Sequence, residues 1–463
     1  MSEFALPRRD FLRVGAGGVI GSALPLTLPS LRAANSGAGA GSGFGQAKSV
    51  LIVWLAGGLG QHDSLDPKPL APAEIRGEFS PINTPLPGVS ICEHLPLLAQ
   101  QLQHWSIVRT LAHVEHNHLL ATHVALTGRP TPIPRGQASD LDRVESRQDF
   151  PNYASALDYV RPRTDGVPTG VSLPNYFIEG ALTWPGQYAG FLGPKHDPWQ
   201  INQDPNDPNF KIDSLNLQAG VSQPRVLSRK SLLEHMNQNS PMNTSARVSG
   251  FGEQQEIAFS LLTSDKVANA FKIEQEPAEV RDRYGRNKFG QSLLLARRLV
   301  EAGVPVIQAA MGIVQTWDTH VDNWGRLKTD LLPRLDLGLN ALMTDLSRSG
   351  LLDQTMVIVM GEFGRTPRIG KLSPDALPGR DHWASVYSAL FAGAGIRGGQ
   401  VIGQSDDIAA YPVTRSFSPA DLCTTIFNGL GVGEDAMLFD PLNRPNHLLN
   451  GEVIEPLYSG RMA

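Results

Sequence analysis

The sequence predicts an α/β fold with a mostly parallel central sheet and helices on both faces. In the second half of the chain, apolar runs typical of strands alternate with amphipathic helical patterns. Two runs, at 50–56 and 356–360, are apolar without interruption, which is typical of strands buried on both faces. Helices between successive strands favour parallel pairing, because each helix returns the chain to the starting edge of the sheet.

The predicted elements follow in a regular order. Glycines at the ends of two amphipathic patterns, Gly303 and Gly350, mark where the helices stop. Along the chain we expect a strand at 50–56, a short helix at 94–104, a strand at 106–109, helical structure at 252–270, a helix at 291–302, a strand at 304–310, a helix at about 330–349 and a strand at 355–360.

The first 34 residues are predicted to be a twin-arginine signal peptide. Arg8 and Arg9 precede a Phe-Leu pair and a weakly apolar stretch at 14–28 that contains several glycines. That stretch is too short and too weakly apolar for a membrane span. The pattern predicts export by the twin-arginine translocase to a periplasmic or extracellular location, and a protein that is not integral to the membrane.

Composition indicates how the rest of the chain is organised. The 463 residues are 41% hydrophobic and 18% charged, as in globular proteins, and the net charge of −5 gives no reason to expect nucleic-acid binding. We expect a flexible linker at 35–48 and a single domain at 49–463, with a loop-rich insertion at 185–250. Cys92 and Cys423 are compatible with one disulfide or with two buried thiols, and cysteine-rich zinc sites are excluded.

Acidic and histidine side chains come directly after several predicted strands. In open α/β sheets, ligands bind beyond the carboxyl ends of the strands, and carboxylates and imidazoles suit Zn, Mn, Fe or Ca. The sequence therefore predicts a divalent-metal site. The candidate ligands are Asp63, His118, Asp318, His320, Glu362 and His382.

Three further features lie next to these candidates. Arg365 is a candidate clamp for an anionic group, since guanidinium binds phosphate or sulfate in a bidentate manner, although it can also be an ordinary ion-pair partner. Asp381 precedes His382 and is a candidate to orient it or to act as a general acid–base. The glycine-rich turn at 57–60 suggests close approach of the backbone to a ligand or metal.

An ordered set of motifs resembles the exported bacterial DUF1501 family, which is related to the alkaline phosphatase and sulfatase superfamily. The resemblance implies an alkaline-phosphatase-like fold with one or two metals at the strand ends. The motifs that carry it lie at 8–12, 57–68, 126–129, 283–303, 317–320, 361–367 and 379–383.

The resemblance to sulfatases transfers only in part to individual residues. Leu126-Thr-Gly-Arg129 matches the end of the sulfatase nucleophile motif, and counting back places the nucleophile position at His118. Because neither cysteine nor serine is there, formylglycine chemistry is not expected. By the same resemblance, Asp318 and His320 match the ligand pair and His382 the late histidine ligand. Asp63 is then the nearest replacement for the first acidic residues, and Glu362 stands in for a usual Asp-His.

Three mechanisms and three functions remain open at this stage. His118 attacks phosphorus, or it is a ligand or base beside a metal-activated water, or Ser64 or Thr122 is the nucleophile. We favour the second mechanism, because a histidine among carboxylates is more often a ligand. The favoured function is a metal-dependent hydrolase of small-molecule or glycan phosphate or sulfate esters. The alternatives are a non-catalytic binding protein and a transferase or mutase on the same metal site.

Overall fold

An eight-stranded sheet organises the computed structural model, which describes residues 42–131, 147–179, 182–212, 265–313 and 315–460. Its strands are β1 (Ser49–Trp54), β2 (Ser106–Leu111), β3 (Gly170–Leu173), β4 (Trp199–Gln200), β5 (Val306–Ala310), β6 (Thr355–Met360), β7 (Tyr387–Ala392) and β8 (Gln400–Ile402).

The spatial order of the strands is β8-β2-β7-β6-β1-β5-β3-β4. Only β7 runs against the others: it is antiparallel to both of its neighbours, β6 and β2, and the remaining pairs are parallel. The loop after β6 brings the chain directly back beside it, and such a return without a crossover helix gives an antiparallel pair. The predicted α/β class with a mostly parallel sheet is confirmed.

Helices surround the sheet. They are α1 (Ala73–Arg76), α2 (Pro96–Gln100), α3 (His118–Thr127), α4 (Tyr153–Val160), α5 (Asp265–Ala270), α6 (Ala278–Tyr284), α7 (Lys288–Glu301), α8 (Asn323–Arg326), α9 (Leu332–Arg348), α10 (Pro419–Gly429) and α11 (Pro456–Ser459), with a π-helical turn at Leu327–Leu331 and 3₁₀ turns at Leu102–His104, Gly190–Leu192, Pro194–His196, Ile273–Gln275 and Leu351–Gln354. Short strand pairs are Pro81–Asn83 with Ser90–Cys92, Ile178–Glu179 with Leu182–Thr183, Gly364–Arg365 with His382–Trp383, and Met437–Phe439 with Pro445–His447.

Two hydrophobic cores lie on opposite faces of the sheet and explain why β1 is apolar throughout. Successive side chains of a strand point to opposite faces. Leu51 and Val53 join the core that contains α7 and α9, whereas Ile52 and Trp54 join the core that contains α10. Both faces of β1 are therefore covered, as its sequence predicts.

The main amphipathic helix begins three residues earlier than predicted. The pattern gave 291–302, and α7 spans Lys288–Glu301. The side chain of Asn287 accepts a hydrogen bond from the amide of Gly290 at 2.9 Å, which supplies the cap that starts the helix. Gly303, with φ of +87°, follows the helix end as predicted.

Two observations concern the predicted linker and the predicted insertion. Gly45 and Ala47 donate backbone hydrogen bonds to the carbonyls of Asn428 and Gly429, so the end of the predicted linker packs on the sheet domain. The predicted insertion contributes β4 to the edge of the sheet, which makes its first part structural. The segments 1–41 and 213–264, with the predicted signal peptide and part of the predicted helical structure at 252–270, lie outside the described residues.

Both cysteines, Cys92 and Cys423, are free and buried. Of the two alternatives left by the sequence, the pair of thiols is therefore the one observed. Among the helices in the described part of the chain, none has both the length and the apolarity needed to cross a membrane.

Candidate metal centre

Three histidines converge on one aspartate at the carboxyl edge of the sheet. The Nε2 atoms of His118, His320 and His382 lie 3.3, 3.0 and 3.2 Å from carboxylate oxygens of Asp318. The Nε2 atoms of His320 and His382 are 2.9 Å apart. Four of the six predicted ligands are thus brought together.

The sheet positions these four side chains from separate segments. Asp318 and His320 lie on the loop after β5, and His118 is the first residue of α3, whose cap is Asn117. His382 lies on a short strand that pairs antiparallel with Gly364–Arg365, directly after β6. The cluster therefore forms at the edge where ligands of open α/β sheets bind.

The other nitrogen of each imidazole is held by an oxygen. Nδ1 contacts Glu362 Oε1 at 2.7 Å in His118, Asp381 Oδ1 at 2.7 Å in His320 and the main-chain carbonyl of His116 at 2.8 Å in His382. A carboxylate or carbonyl at Nδ1 places the proton there and leaves the lone pair on Nε2. Ligand histidines in metal sites are commonly oriented in this way.

Glu362 lies behind His118. It is fully buried, and the amide of Gly57 donates to its two oxygens at 2.9 and 3.1 Å. Gly57 has φ of +111°, and a Cβ there would lie 2.4 Å from the amide nitrogen of Asp318. The glycine turn therefore permits close approach of the backbone to the neighbouring strand-end loop, and its predicted approach to a ligand or metal stays a prediction. Glu362 therefore lies where it supports the ring of His118, and not where the sequence predicted it, as a direct metal ligand.

Arg365 is committed to the protein. Its five N–H groups are directed at the carbonyls of Gly57, Gly58, Trp317 and Arg380 and at Oδ1 of Asp318. The side chain is completely buried. No donor remains for a substrate anion, so the predicted role as an anion clamp does not fit. Arg365 positions Asp318 at the strand end.

Asp63 lies outside this cluster. Its carboxylate pairs with Arg380 at 2.7 Å, both side chains are inaccessible to solvent, and it accepts further hydrogen bonds from Asn323 and Trp324. Among the described residues, Asp63 contacts none of the three histidines. Its strand-end position suggested a metal ligand, but its carboxylate forms a buried ion pair with Arg380 instead.

Asp381 is 64% exposed and contacts His320. It does not orient His382 as predicted, because the carbonyl of His116 does so. The sequence assigned no role to His116, since a contribution from its main chain leaves no residue-type signal. Its neighbour His113 contacts the carbonyl of Glu362 at 2.6 Å, and burial lowers the pKa of His113 to about 4.

The two hydroxyls considered as nucleophiles are inaccessible. Ser64 and Thr122 are both completely buried. The Ser64 hydroxyl also donates to the carbonyl of Gly60 at 2.6 Å. Neither side chain is placed to attack an ester that arrives from solvent.

The donor set fits a divalent metal ion. Bonds of 2.0–2.1 Å in a tetrahedral site place neighbouring donor atoms about 3.3 Å apart, close to the separations of 2.9–3.3 Å observed here. Nε2 of His118 is buried and makes no well-aligned hydrogen bond, although Asp318 Oδ2 lies 3.3 Å away. Ligand atoms of His118, Asp318 and His382 all lie within 4.8 Å of one another. A cation would satisfy the orphaned nitrogen and the charge of Asp318.

The family described as "Protein of unknown function (DUF1501)" matches residues 47–458. The chain belongs to the DUF1501 family. No curated protein matches the sequence of this DUF1501 chain.

Several solved structures resemble the DUF1501 chain at low identity. The PsFucS1 sulfatase from Pseudoalteromonas sp. is 13% identical with a TM-score of 0.37, covering 83% of this chain and 68% of that one. Alkaline phosphatase from the Antarctic bacterium TAB5 is 12% identical with a TM-score of 0.33, covering 79% and 96%. The lipoteichoic acid synthase LtaP from Listeria monocytogenes is 11% identical with a TM-score of 0.37, covering 89% and 78%. Likenesses this weak say nothing about substrate.

The charges at the DUF1501 centre depend on one another. Burial raises the pKa of Asp318, but its contacts with the three histidines and the charge of Arg365 outweigh it and hold that pKa far below its usual range. Burial lowers the pKa of His118, yet Asp318 and Glu362 together raise it to about 9. The pKa of His382 is lowered by burial and by the charges of His118 and Arg365. Asp318 and Asp381 also raise the pKa of His320. Without a metal, His118 is therefore protonated at neutral pH.

Proposed function

We propose that this DUF1501 protein is a metal-dependent hydrolase of phosphate or sulfate esters. The observation that carries the proposal is the convergence of three Nε2 atoms on Asp318, each ring being held at Nδ1 by an oxygen. Such an arrangement holds the three Nε2 atoms at defined positions, and a bound ion would displace the proton of His118. The proposed ligands are His118, Asp318, His320 and His382.

The donor chemistry favours one of the ions that the sequence left open. Ca²⁺ prefers six to eight oxygen ligands, whereas this centre offers mainly imidazole nitrogen. Imidazole nitrogens together with a carboxylate oxygen suit Zn²⁺ best, with Fe and Mn as weaker fits. We therefore propose Zn²⁺ as the resident ion.

A bound divalent ion would supply Lewis-acid activation of water and of the ester oxygens. The chain's own residues hold the centre in place: Glu362 orients His118, and Arg365 fixes Asp318. His118 is a ligand in this account and not a nucleophile. Both of its nitrogens face carboxylate oxygens, which would repel an anionic ester.

Proton transfer is proposed for Asp381. Its carboxylate is 64% exposed, whereas Glu362 is fully buried and Asp318 is 14% exposed. Oδ1 contacts Nδ1 of His320, which leaves Oδ2 free to exchange a proton with a leaving group at the surface. Asp381 therefore remains the candidate general acid–base.

The proposal is tested on the mature chain by elemental analysis and by turnover. We expect about one equivalent of metal, and hydrolysis of at least one member of a panel of aryl phosphate, phosphodiester and sulfate esters. A chelator should abolish turnover and added Zn²⁺ should restore it. Absence of metal, together with no turnover after incubation with each candidate ion, would reject the hydrolase.

A non-catalytic binding protein on the same fold is the second candidate. It is favoured by the saturation of Arg365, whose N–H groups are all used within the protein and cannot receive an anionic ester, and by the burial of Ser64 and Thr122. This candidate predicts metal binding without turnover on any ester. Chelator-sensitive hydrolysis would eliminate it.

Export through the twin-arginine route is also part of the proposal. It rests on the Arg8-Arg9 pattern alone. Replacing both arginines by lysine should retain the protein in the cytoplasm, as measured by fractionation, and unchanged export would reject this route.

A further inference from the structure

A cleft lies at the edge of the sheet opposite to the proposed metal centre. Its volume is about 600 Å³, and small-molecule sites usually occupy about 300–1,000 Å³. Residues at or directly before the amino ends of four parallel strands, β1, β3, β5 and β6, line it, whereas Asp318 follows the carboxyl end of β5. Because a strand rises about 3.3 Å per residue, β1 places roughly 17 Å between the cleft and the centre. The cleft is therefore a separate site.

The cleft is open, and main-chain hydrogen bonds hold its walls together. The amide of Lys48 donates to the carbonyl of Gln354 at 2.8 Å, and the amide of Val50 donates to the carbonyl of Pro305 at 2.7 Å. Gly303 has φ of +87°, and a Cβ there would meet no heavy atom of the described residues within 4 Å. The space is therefore preformed and accessible from the side of Gly303.

Apolar side chains line much of the cleft. Leu157 of α4, Val300 of α7 and Leu430 directly after α10 are 3%, 5% and 5% exposed. Pro305 is buried and Leu351 is half-buried. These side chains come from helices on both faces of the sheet and leave a gap where the strands begin. Such a surface favours the apolar part of a ligand, because binding removes apolar area from water.

Two cations at the cleft have no acidic partner. Lys48 is exposed, and within the described ranges of the chain its ammonium group makes no ion pair. Arg161 directs two of its N–H groups at the carbonyls of Leu430 and Gly431, both at 3.0 Å. These carbonyls hold the guanidinium beside the cleft without neutralising it. Both positive charges are therefore available to a ligand.

The other two charged residues that line the cleft are paired. Arg163 forms a bidentate ion pair with Asp165, and Glu301 pairs with Arg297. The unpaired charge at the cleft is therefore positive, although the net charge of the chain is −5. A cleft with charge of one sign attracts ligands of the opposite sign.

We infer that this cleft binds an amphiphilic organic anion, in which a carboxylate, phosphate or sulfonate is joined to an apolar chain or ring. The anionic group lies against Lys48 and Arg161, which retains N–H groups that the two carbonyls do not use. The apolar part lies on Leu157, Val300 and Leu430. This site is independent of the proposed hydrolase, since it shares no residue with the metal centre.

A pair of fluorescent probes tests the need for an anionic group. Anilinonaphthalene sulfonate and phenylnaphthylamine have the same apolar body, and only the first carries a negative charge. In titrations of the full mature chain, we expect one equivalent of the sulfonate to bind, at least about tenfold more tightly than the neutral probe. Higher ionic strength should weaken the sulfonate alone, because exposed charges are screened by salt.

Lys48→Glu tests the location of the site. Lys48 is exposed, so reversal of its charge should leave the melting temperature nearly unchanged. It should weaken binding of the sulfonate by about tenfold, because an attraction becomes a repulsion. The matched control is Lys371→Glu, which makes the same change of charge at an exposed position on the loop after β6, at the opposite edge of the sheet. The control should bind as the wild type does.

Competition with dodecanoate and with dodecyl phosphate then identifies the preferred anionic group, since the tighter ligand displaces the sulfonate at lower concentration. The inference is supported if Lys48→Glu alone weakens binding and at least one of the two competitors displaces the probe. It is overturned if the neutral probe binds as tightly as the sulfonate, or if neither competitor displaces it. Equal binding by Lys48→Glu and the wild type, or equal losses in Lys48→Glu and Lys371→Glu, would also overturn it.

Discussion

Two buried arginine–aspartate pairs follow strand ends of the sheet, and they have different consequences. Arg380 pairs with Asp63 and Arg365 pairs with Asp318, and both guanidinium groups are inaccessible to solvent. The difference lies in what else surrounds each carboxylate. Asp63 accepts from the N–H groups of Asn323 and Trp324, whereas Asp318 faces three imidazole nitrogens and is 14% exposed.

The comparison separates a structural carboxylate from a proposed ligand. Asn323 and Trp324 donors cannot give up their hydrogens, so Asp63 is permanently satisfied. The nitrogens around Asp318 can lose protons and then offer lone pairs to a cation. A strand-end aspartate is thus informative about metal binding only when its neighbours titrate.

The largest expected effect is the loss of stability when Asp63 is removed. Two of the five N–H groups of Arg380 are directed at Asp63, and both side chains are buried. Asp63→Ala should lower the free energy of unfolding by about 3–5 kcal/mol, because it leaves an uncompensated buried charge. Asp318→Ala should cost less, since only one donor of Arg365 loses its partner and the space left by the 14% exposed carboxylate is open to water. Urea denaturation measures the free energy of unfolding of both variants. A loss for Asp318→Ala that equals or exceeds the loss for Asp63→Ala would contradict the difference between the two pairs.

The second-largest expected effect is a pH dependence of stability and of Zn²⁺ affinity that originates at His118. The pKa of His118 is about 9 in the folded protein and 6.5 in the unfolded chain. Its contribution to the free energy of unfolding is therefore complete below pH 6.5 and is lost as the pH rises through 9. The free energy of unfolding of the metal-free protein should fall by up to about 3 kcal/mol over this window. The affinity for Zn²⁺ should rise over the same window, because the ion displaces the proton.

Melting temperatures measured from pH 6 to 9, with a chelator and with Zn²⁺, check this behaviour. His118→Gln should flatten the slope of the metal-free protein. A metal-free melting temperature that stays constant or rises across the window would contradict the assigned charge state.

A smaller effect is expected when Glu362 is replaced by its amide. In Glu362→Gln, the side-chain NH₂ can donate to Nδ1 of His118, which moves the imidazole proton to Nε2 and blocks the lone pair. Metal affinity should fall by about 10–100-fold, as for other groups that orient ligands. Competition with a chromogenic chelator measures the change, and an unchanged affinity would mean that Glu362 does not select the tautomer.

The smallest effect on metal affinity is expected at Asp381. The side chain is exposed, and the carbonyl oxygen in Asp381→Asn can still accept from Nδ1 of His320. Affinity should fall by about tenfold or less. Turnover should fall more than affinity if Asp381 transfers the proton, and its dependence on pH should change. Equal losses in metal affinity and in turnover would mean that Asp381 only orients His320 and does not transfer a proton.

The strands and the identity of most cluster members were predictable, because they depend on local patterns. The apolar runs at 50–56 and 356–360 specify strands buried on both faces, and Asp318, His320 and His382 follow elements that end at one edge. Tertiary pairing was not predictable. Nothing near Asp63 indicates that Arg380, 317 positions later, fills its carboxylate.

Two other features could be recognised only from the three-dimensional fold. Arg365 follows Glu362 closely, which suggested an anion clamp, but the fold surrounds it with carbonyls from three strand-end segments. Trp184 lies in a loop-rich region without a motif, and it reaches His118 only because Gly186 rests on α3. Main-chain acceptors and close packing have no signature in a single sequence.

The most direct test of the account compares Zn²⁺ binding by Asp318→Asn and Asp63→Asn, two identical chemical changes at the two arginine pairs. Equilibrium dialysis followed by elemental analysis gives the metal content of folded protein. We predict that Asp318→Asn lowers Zn²⁺ affinity by more than the roughly 100-fold typical of orienting residues. Asp63→Asn should retain about one equivalent despite its lower stability. Full metal content in Asp318→Asn, or loss of metal from folded Asp63→Asn, would contradict the assignment of the centre.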